Sequence, residues 1–172
     1  MVELLCAMAV LLVGILAVFA LFQAGIASIQ RASTTTTAAA LADTEMERLR
    51  AVKYATLGLA QTDVDAVPSG DAYKNDPAWK PISSPPNELN STVVVAKCPA
   101  NPCTDTLPTR TATGADGKTY RVDTYMTWHA VENSSGTPGR KVKLVTIVVR
   151  DANVAGKVWA RTASPFDEST GL

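Results

Sequence analysis

Nineteen consecutive residues, Leu4 to Phe22, carry no charge, and this run decides most of what the chain can become. At 1.5 Å per helical residue, about 20 apolar residues cross the roughly 30 Å hydrocarbon core of a bilayer. Leu4, Leu5, Leu11, Leu12, Ile15, Leu16, Phe19 and Phe22 are its bulky members. A cleaved signal peptide fits poorly: no Lys or Arg precedes Arg31, and the run is longer than such a peptide's apolar stretch. A buried core helix fits worse, because the rest of the chain offers too little apolar surface to wrap it. The favoured reading is a membrane helix joined to a water-soluble body, because the sequence after Arg31 is polar. With no basic residue on its N-terminal side, the orientation of the helix stays open.

No proline occurs before Pro68, so nothing forces a break, and one helix is expected from about Val2 to Tyr54. If continuous, it would be about 80 Å long. Beyond the apolar run, Ala38, Leu41, Ala42, Met46, Leu49 and Val52 recur at spacings of three and four and share one face. Glu45, Glu47, Arg48 and Arg50 fill other positions. This half is expected to pack on a domain, while the first half projects. Gly14, Gly25 and the β-branched run Thr34–Thr37 are weak points, the threonine hydroxyls bonding back to the helix. The division expected is 1–30 membrane helix, 31–56 amphipathic continuation, and 57–172 an irregular connection followed by a β-sheet domain.

From Gly58 to Asn90, five prolines crowd among Gly, Ser, Asn and Asp, and an extended surface connection is expected, pinned by Tyr73 and Trp79, with a helical turn near Ala78. Strands are expected at Thr92–Ala96, at Tyr120–His129 with the alternation of a half-buried strand, at Lys141–Arg150, and at Lys157–Ala163. Lys141–Arg150 is apolar on both sides, which suits a central strand. Ala115-Asp-Gly117 and Asn133–Gly139 carry turn chemistry. A helix followed by an antiparallel meander is an α+β arrangement.

The chemistry of the body is sparse. Sixteen basic side chains balance sixteen acidic ones, which is not the charge of a nucleic-acid binder. Cys98 and Cys103 flank a Pro- and Asn-rich stretch, and a disulfide closing that short loop is the simplest reading. Zinc is the rival, but it wants about four ligands, and His129 is the only histidine. A disulfide would place the body outside the cytoplasm. Cys6 reads as a small packing residue. His129 lies on an exposed-looking strand face, and no nucleophile–base motif, phosphate loop or metal-spaced His pair is present. Asp63-Val-Asp65 and Asp151-Ala-Asn153 read as solvated turns rather than calcium loops. Asn90-Ser-Thr92 and Asn133-Ser-Ser135 match the glycosylation triplet, which often arises by chance. No catalytic, cofactor or metal site is expected, and the chain reads as a non-enzyme.

Glu3 is the informative residue, the only charge in the first 30 positions. A carboxylate beside hydrocarbon is costly unless it is paired or reaches water. Its bland role is to mark the helix end at the headgroups, where it also suits the helix dipole. The segment Met-Val-Glu-Leu-Leu-Cys-Ala-Met-Ala-Val-Leu-Leu-Val-Gly-Ile-Leu resembles the N-terminal motif of type IV pilins and pseudopilins. In that family a Gly and an aromatic residue precede a short stretch ending in Glu-Leu-Leu and a long apolar helix. Ala40–Tyr54 resembles the matching helix segment of PilV-type minor pilins less specifically, and the rest of the chain weakly.

The resemblance implies a pilin-like α+β fold and a structural, filament-forming role. It implies an inner-membrane anchor with an extracytoplasmic domain, leaving lipid for a cell-surface or periplasmic filament. Its partners would be other pilin subunits, the inner-membrane assembly platform and membrane lipid before assembly. Glu3 would meet the N-terminal amine of an adjacent subunit. The family also has a basic leader ending in Gly, removed by a prepilin peptidase. This chain starts at Met1, too late to include one, so the resemblance implies a start farther upstream or a fragment. Three roles are open: minor subunit of a type IV pilus or secretion pseudopilus, which is favoured; major pilin; and an anchored binding domain that never assembles.

Overall fold

The computed structural model describes residues 2–82, 90–95, 106–132, 138–154 and 156–168. The uninterrupted N-terminal sequence forms one helix, α1, Val2–Arg50, of 49 residues. Glu3 lies in its first turn and Arg48 and Arg50 in its last, the placement that complements the helix dipole. The threonine run is helical too, and Thr34 Oγ1 and Thr36 Oγ1 donate back to the Gln30 and Ala32 carbonyls at 2.9 and 3.0 Å. After Arg50 the chain leaves the helix and makes a 3-10 turn, Tyr54–Thr56. The expected end at Tyr54 thus comes four residues early. Contacts divide the chain into two compact units, Met1–Thr36 and Thr37–Leu172, and α1 contributes to both.

In the second unit, Ala38, Ala42, Met46 and Leu49 of α1 are buried, with Leu41 and Val52 partly buried beside them, as the three-and-four spacing requires. They share a core with a four-stranded sheet of order β3-β4-β5-β6: β3 Thr109–Thr113, β4 Thr119–Glu132, β5 Pro138–Asp151 and β6 Val158–Phe166. All three pairings are antiparallel. The register sets Val122 opposite Val149 and Met126 opposite Val145. These four, with Tyr120 and Ile147, belong to the same core as the α1 residues. β5 is one of the two inner strands, with β4, as its two apolar sides imply.

Elsewhere the chain departs from the sequence expectation. The connection after Gly58 is not wholly irregular. It holds β1, Leu59–Ala60, and a short helix α2, Gln61–Ala66. β2, Val94–Val95, does not join the main meander but pairs in parallel with β1. Its neighbours still reach the main sheet, where Thr92 bridges to Thr127 and the Val93 N–H donates to the Met126 carbonyl at 2.8 Å. β3 was not anticipated. Its Thr-Arg-Thr-Ala-Thr sequence has no apolar stripe, and it pairs across the hairpin turn in which Gly117 takes a φ of +75°. That turn lies tight against α1: a Cβ on Gly114 would come within 2.5 Å of Thr37 Cγ2 and 2.7 Å of the Tyr120 ring.

Between Tyr120 and Met126, β4 is not half-buried, as its alternation implies, but covered on both sides. Opposite the face that packs with α1, Asp123 and Tyr125 are buried and Arg121 is half-buried. The segment from Val67 to Trp79 covers them. Tyr73, fully buried, stacks on Tyr125 with ring centroids 4.4 Å apart and planes 10° from parallel. Its hydroxyl donates to the Thr124 carbonyl at 2.9 Å, and the Tyr125 hydroxyl donates to the Tyr73 carbonyl at 3.1 Å. Trp79 packs at 5.5 Å on the Tyr73 ring. The two aromatic pins expected from the sequence are therefore in place, and the expected turn near Ala78 forms as the Trp79 N–H donates to the Asp76 carbonyl.

Candidate functional site

The surface with the clearest functional character is the first unit. Every side chain described from Val2 to Ser33 is exposed. Of the residues expected to face lipid, Leu4, Leu11, Leu12, Ile15, Leu16, Phe19 and Phe22 are each between 49% and 69% exposed; the side chain of Leu5 is outside the described set. A soluble domain rarely shows a contiguous apolar patch of more than a few hundred Å², so such a surface marks a membrane or a partner. α1 is the one helix among the described residues long and apolar enough to cross a membrane. Gly14 lacks a side chain and leaves a shallow apolar groove of about 470 Å³ lined by Leu11, Ile15, Val18 and Phe19. Glu3 is exposed at the start of this surface, and Arg31 is exposed at its far end.

The second unit holds most of the unusual electrostatics. On the strand face under Val67–Trp79, six charges alternate in sign: Asp71, Arg121, Asp123, Arg150, Asp76 and Arg161. Arg121 Nη1 donates to Asp71 at 3.0 Å and its Nε to Asp123 at 2.7 Å. Arg150 Nε donates to the other Asp123 oxygen at 2.7 Å, and Arg150 Nη2 to Asp76. Arg161 Nη2 closes the series on both Asp76 oxygens at 2.7 and 2.9 Å. Three guanidinium groups neutralise three carboxylates, so no net charge is buried. The hydrogen bonds from Arg121 hold the Asp71 carboxyl below the usual range. Burial pushes Asp76 up, but hydrogen bonds from Arg161, the Ala78 N–H and Arg150 prevail and leave it low. Burial pushes the Tyr73 and Tyr125 hydroxyls above the usual range for tyrosine. The series ties the connection to the sheet.

Glu45 was placed by its sequence position off the packed face, yet it is buried. Arg48 one turn on and Arg110 of β3 both donate to it, and β3 itself was the missing element. Burial raises its carboxyl, but the two arginines outweigh this and leave it low. Outside the alternating series, Lys143 is the other buried charge among the described residues. Its Nζ donates to the Tyr54 and Leu57 carbonyls at 2.6 and 2.7 Å and stands 4.4 Å above the Tyr54 ring. Burial pushes its ammonium down to about 8. The alternation of β5 places Lys143 on the core side, but nothing in the sequence shows that two carbonyls after α1 would receive it. Nearby, Arg50, Val52, Tyr54, Ser164, Pro165, Phe166 and Asp167 line a cavity of about 290 Å³.

His129 is exposed on β4. Asp151 caps the turn after β5, accepting from the Asn153 N–H at 2.9 Å. Among the described residues, no group of three His, Cys, Asp or Glu is placed to hold a metal ion. Asn90 is exposed with a φ of +63°. Cys6 is exposed on the apolar helix. Cys98, Cys103 and Asn133 lie outside the described residues, and so does the loop they would define. Comparison with family models, with curated proteins and with solved structures gives no match.

Proposed function

We propose that the chain is a membrane-anchored structural subunit that assembles through its N-terminal helix, a minor subunit of a type IV pilus or secretion pseudopilus. One observation carries the reading: an apolar helical surface is exposed from Val2 to Ile29, and Glu3 is the only charge within it. In lipid such a helix is a simple anchor, and Glu3 reaches the headgroups. Among neighbouring helices the apolar side chains exchange lipid for protein, and Glu3 must find a cation or stay stranded in an apolar core. A side chain that is harmless in the anchor but needs a mate in the filament gives assembly its register. The α+β body, packed on the second half of α1, would then be the part displayed.

The test is replacement of Glu3 by Val. The variant should accumulate in the membrane with its body folded, and its incorporation into sheared or purified filaments should fall sharply. Incorporation at the parental level would defeat the proposal. If crosslinking finds the helix beside lipid alone, the chain is an anchored domain that does not assemble.

A further inference from the structure

Outside α1, three large apolar side chains among the described residues are exposed: Leu107, Val154 and Val158. The last two flank the turn between β5 and β6. The Lys157 N–H closes that turn on the Val154 carbonyl at 2.8 Å, and Lys157 Nζ stands 4.0 Å from the centroid of the Trp159 ring. The ladder steps from Val149–Ala160 to Arg150–Val158, so a bulge leaves Trp159 without a cross-strand partner, a device that re-aims a side chain. Aliphatic side chains beside a tryptophan and a lysine form the mixture that settles at a bilayer surface, where an amphipathic ring and a long cationic chain sit at headgroup level.

The place of this cluster in the body points to its partner. Asp151, at the mouth of the turn, pairs with Tyr120 of β4. The Tyr120 ring lies beside Gly114, and so does Thr37 of α1. The turn is therefore at the end of the sheet where α1 enters the body. Thr37 follows Arg31 by six residues, which span at most about 20 Å in any conformation. The covalent chain thus keeps this end near the close of the apolar run. The opposite end, where Trp128 pairs with Lys143, lies about 27 Å farther along β4.

We infer that the end of the body holding the β5–β6 turn rests on the lipid headgroups, with Val154 and Val158 entering the bilayer surface and Trp159 and Lys157 at its edge. This rests on the membrane anchor in the reading above and needs nothing of assembly. Two valines bury too little apolar area to hold a free domain on lipid. The anchor changes this, because a tethered site meets the surface at a high effective concentration, and a weak contact then suffices. Lys118 and Lys157, both exposed at this end, suit headgroup phosphates. The acids beside them are half-buried and bonded within their own turns. Asp151 accepts from the Asn153 and Val154 N–H groups at 2.9 and 3.3 Å, and Asp116 from the Tyr120 hydroxyl at 2.6 Å.

The test uses the full chain in phosphatidylcholine vesicles, with and without a nitroxide on the headgroup, which quenches tryptophan emission at close range. The parent chain should float with the vesicles and lose emission to the nitroxide. Trp159→Phe should remove most of that loss, because Trp128 lies at the other end of β4. Val154→Asp with Val158→Asp keeps all three tryptophans and should also remove most of it. If near-ultraviolet circular dichroism shows that the aspartates disturb the body, Val154→Ser with Val158→Ser carries the same expectation. A parent chain that floats without losing emission, or a loss unchanged in Trp159→Phe, overturns the lipid contact, leaves the anchor standing and assigns the exposed valines to a protein partner. Quenching of Trp159 that survives the loss of both valines is nearness imposed by the tether alone and overturns the contact equally. A chain that does not float with the vesicles overturns the anchor and this inference together.

Discussion

The two halves of α1 have the same backbone and opposite surfaces. From Val2 to Ser33 every described side chain is exposed, including leucines and phenylalanines. From Thr37 to Arg50 a stripe of Ala38, Ala42, Met46 and Leu49 is buried, along with a glutamate. The first half is apolar on all sides as far as Phe22 and has no single strip to hide. The second half is apolar along one strip, so one sheet suffices. Continuity of a helix thus says nothing about continuity of its environment. The change falls where the pattern turns from uniform to periodic.

Substitutions can sharpen this contrast. The largest stability effect is expected away from the stripe, at the buried charges that the sheet holds on its other face. Asp123→Ala leaves Arg150 buried without one of its carboxylates and should cost about 3–5 kcal/mol. Thermal unfolding of the detergent-solubilised chain would show it, and a loss under about 1 kcal/mol would mean the alternating series is better hydrated than its burial indicates. Next, Leu49→Ala removes a fully buried side chain and should cost about 2–5 kcal/mol, whereas Leu16→Ala should leave the same unfolding transition unmoved. Equal losses at the two leucines would erase the distinction between the halves. Tyr73→Phe keeps the stacked ring and deletes one hydrogen bond to the sheet, so about 1 kcal/mol is expected.

Titration probes the second unit through its buried charges. Asp71, Asp76 and Glu45 have folded values below the ordinary ones. Their contribution is complete above the ordinary carboxylate range and is lost as pH falls through the folded values, so the body should destabilise below about pH 4. Lys143 works in the other direction. Its folded value of about 8 lies below the ordinary 10.5, so the unfolded chain binds more protons between them, and stability should rise with pH from about 8. Tyr73 and Tyr125, raised by burial, oppose this above about pH 10, where the unfolded chain ionises first. Stability measured against pH in Lys143→Met should lose the rise between 8 and 10; an unchanged rise would assign it to another group.

The sequence by itself determined the helix, its exposed apolar half, the packed stripe, the inner strand β5 and the aromatic pins Tyr73 and Trp79. Each follows from local order: a charge-free run, a period of 3.6 or 2, or a bulky ring within a polar connection. It also singled out Glu3, because one acid at the edge of a long apolar run is visible without any fold. Only the tertiary structure decided where Glu45 and Lys143 go, that Thr109–Thr113 is a strand, that Leu59–Ala60 pairs with Val94–Val95, and that the polar side of β4 is buried. The reason is common to all of them. Charged side chains and short strands with no apolar pattern have no preferred burial of their own. Their position is set by partners distant in the chain, such as Arg110 for Glu45 and Asp71 and Asp76 for the arginines of the sheet, and those pairings exist only once the chain has folded.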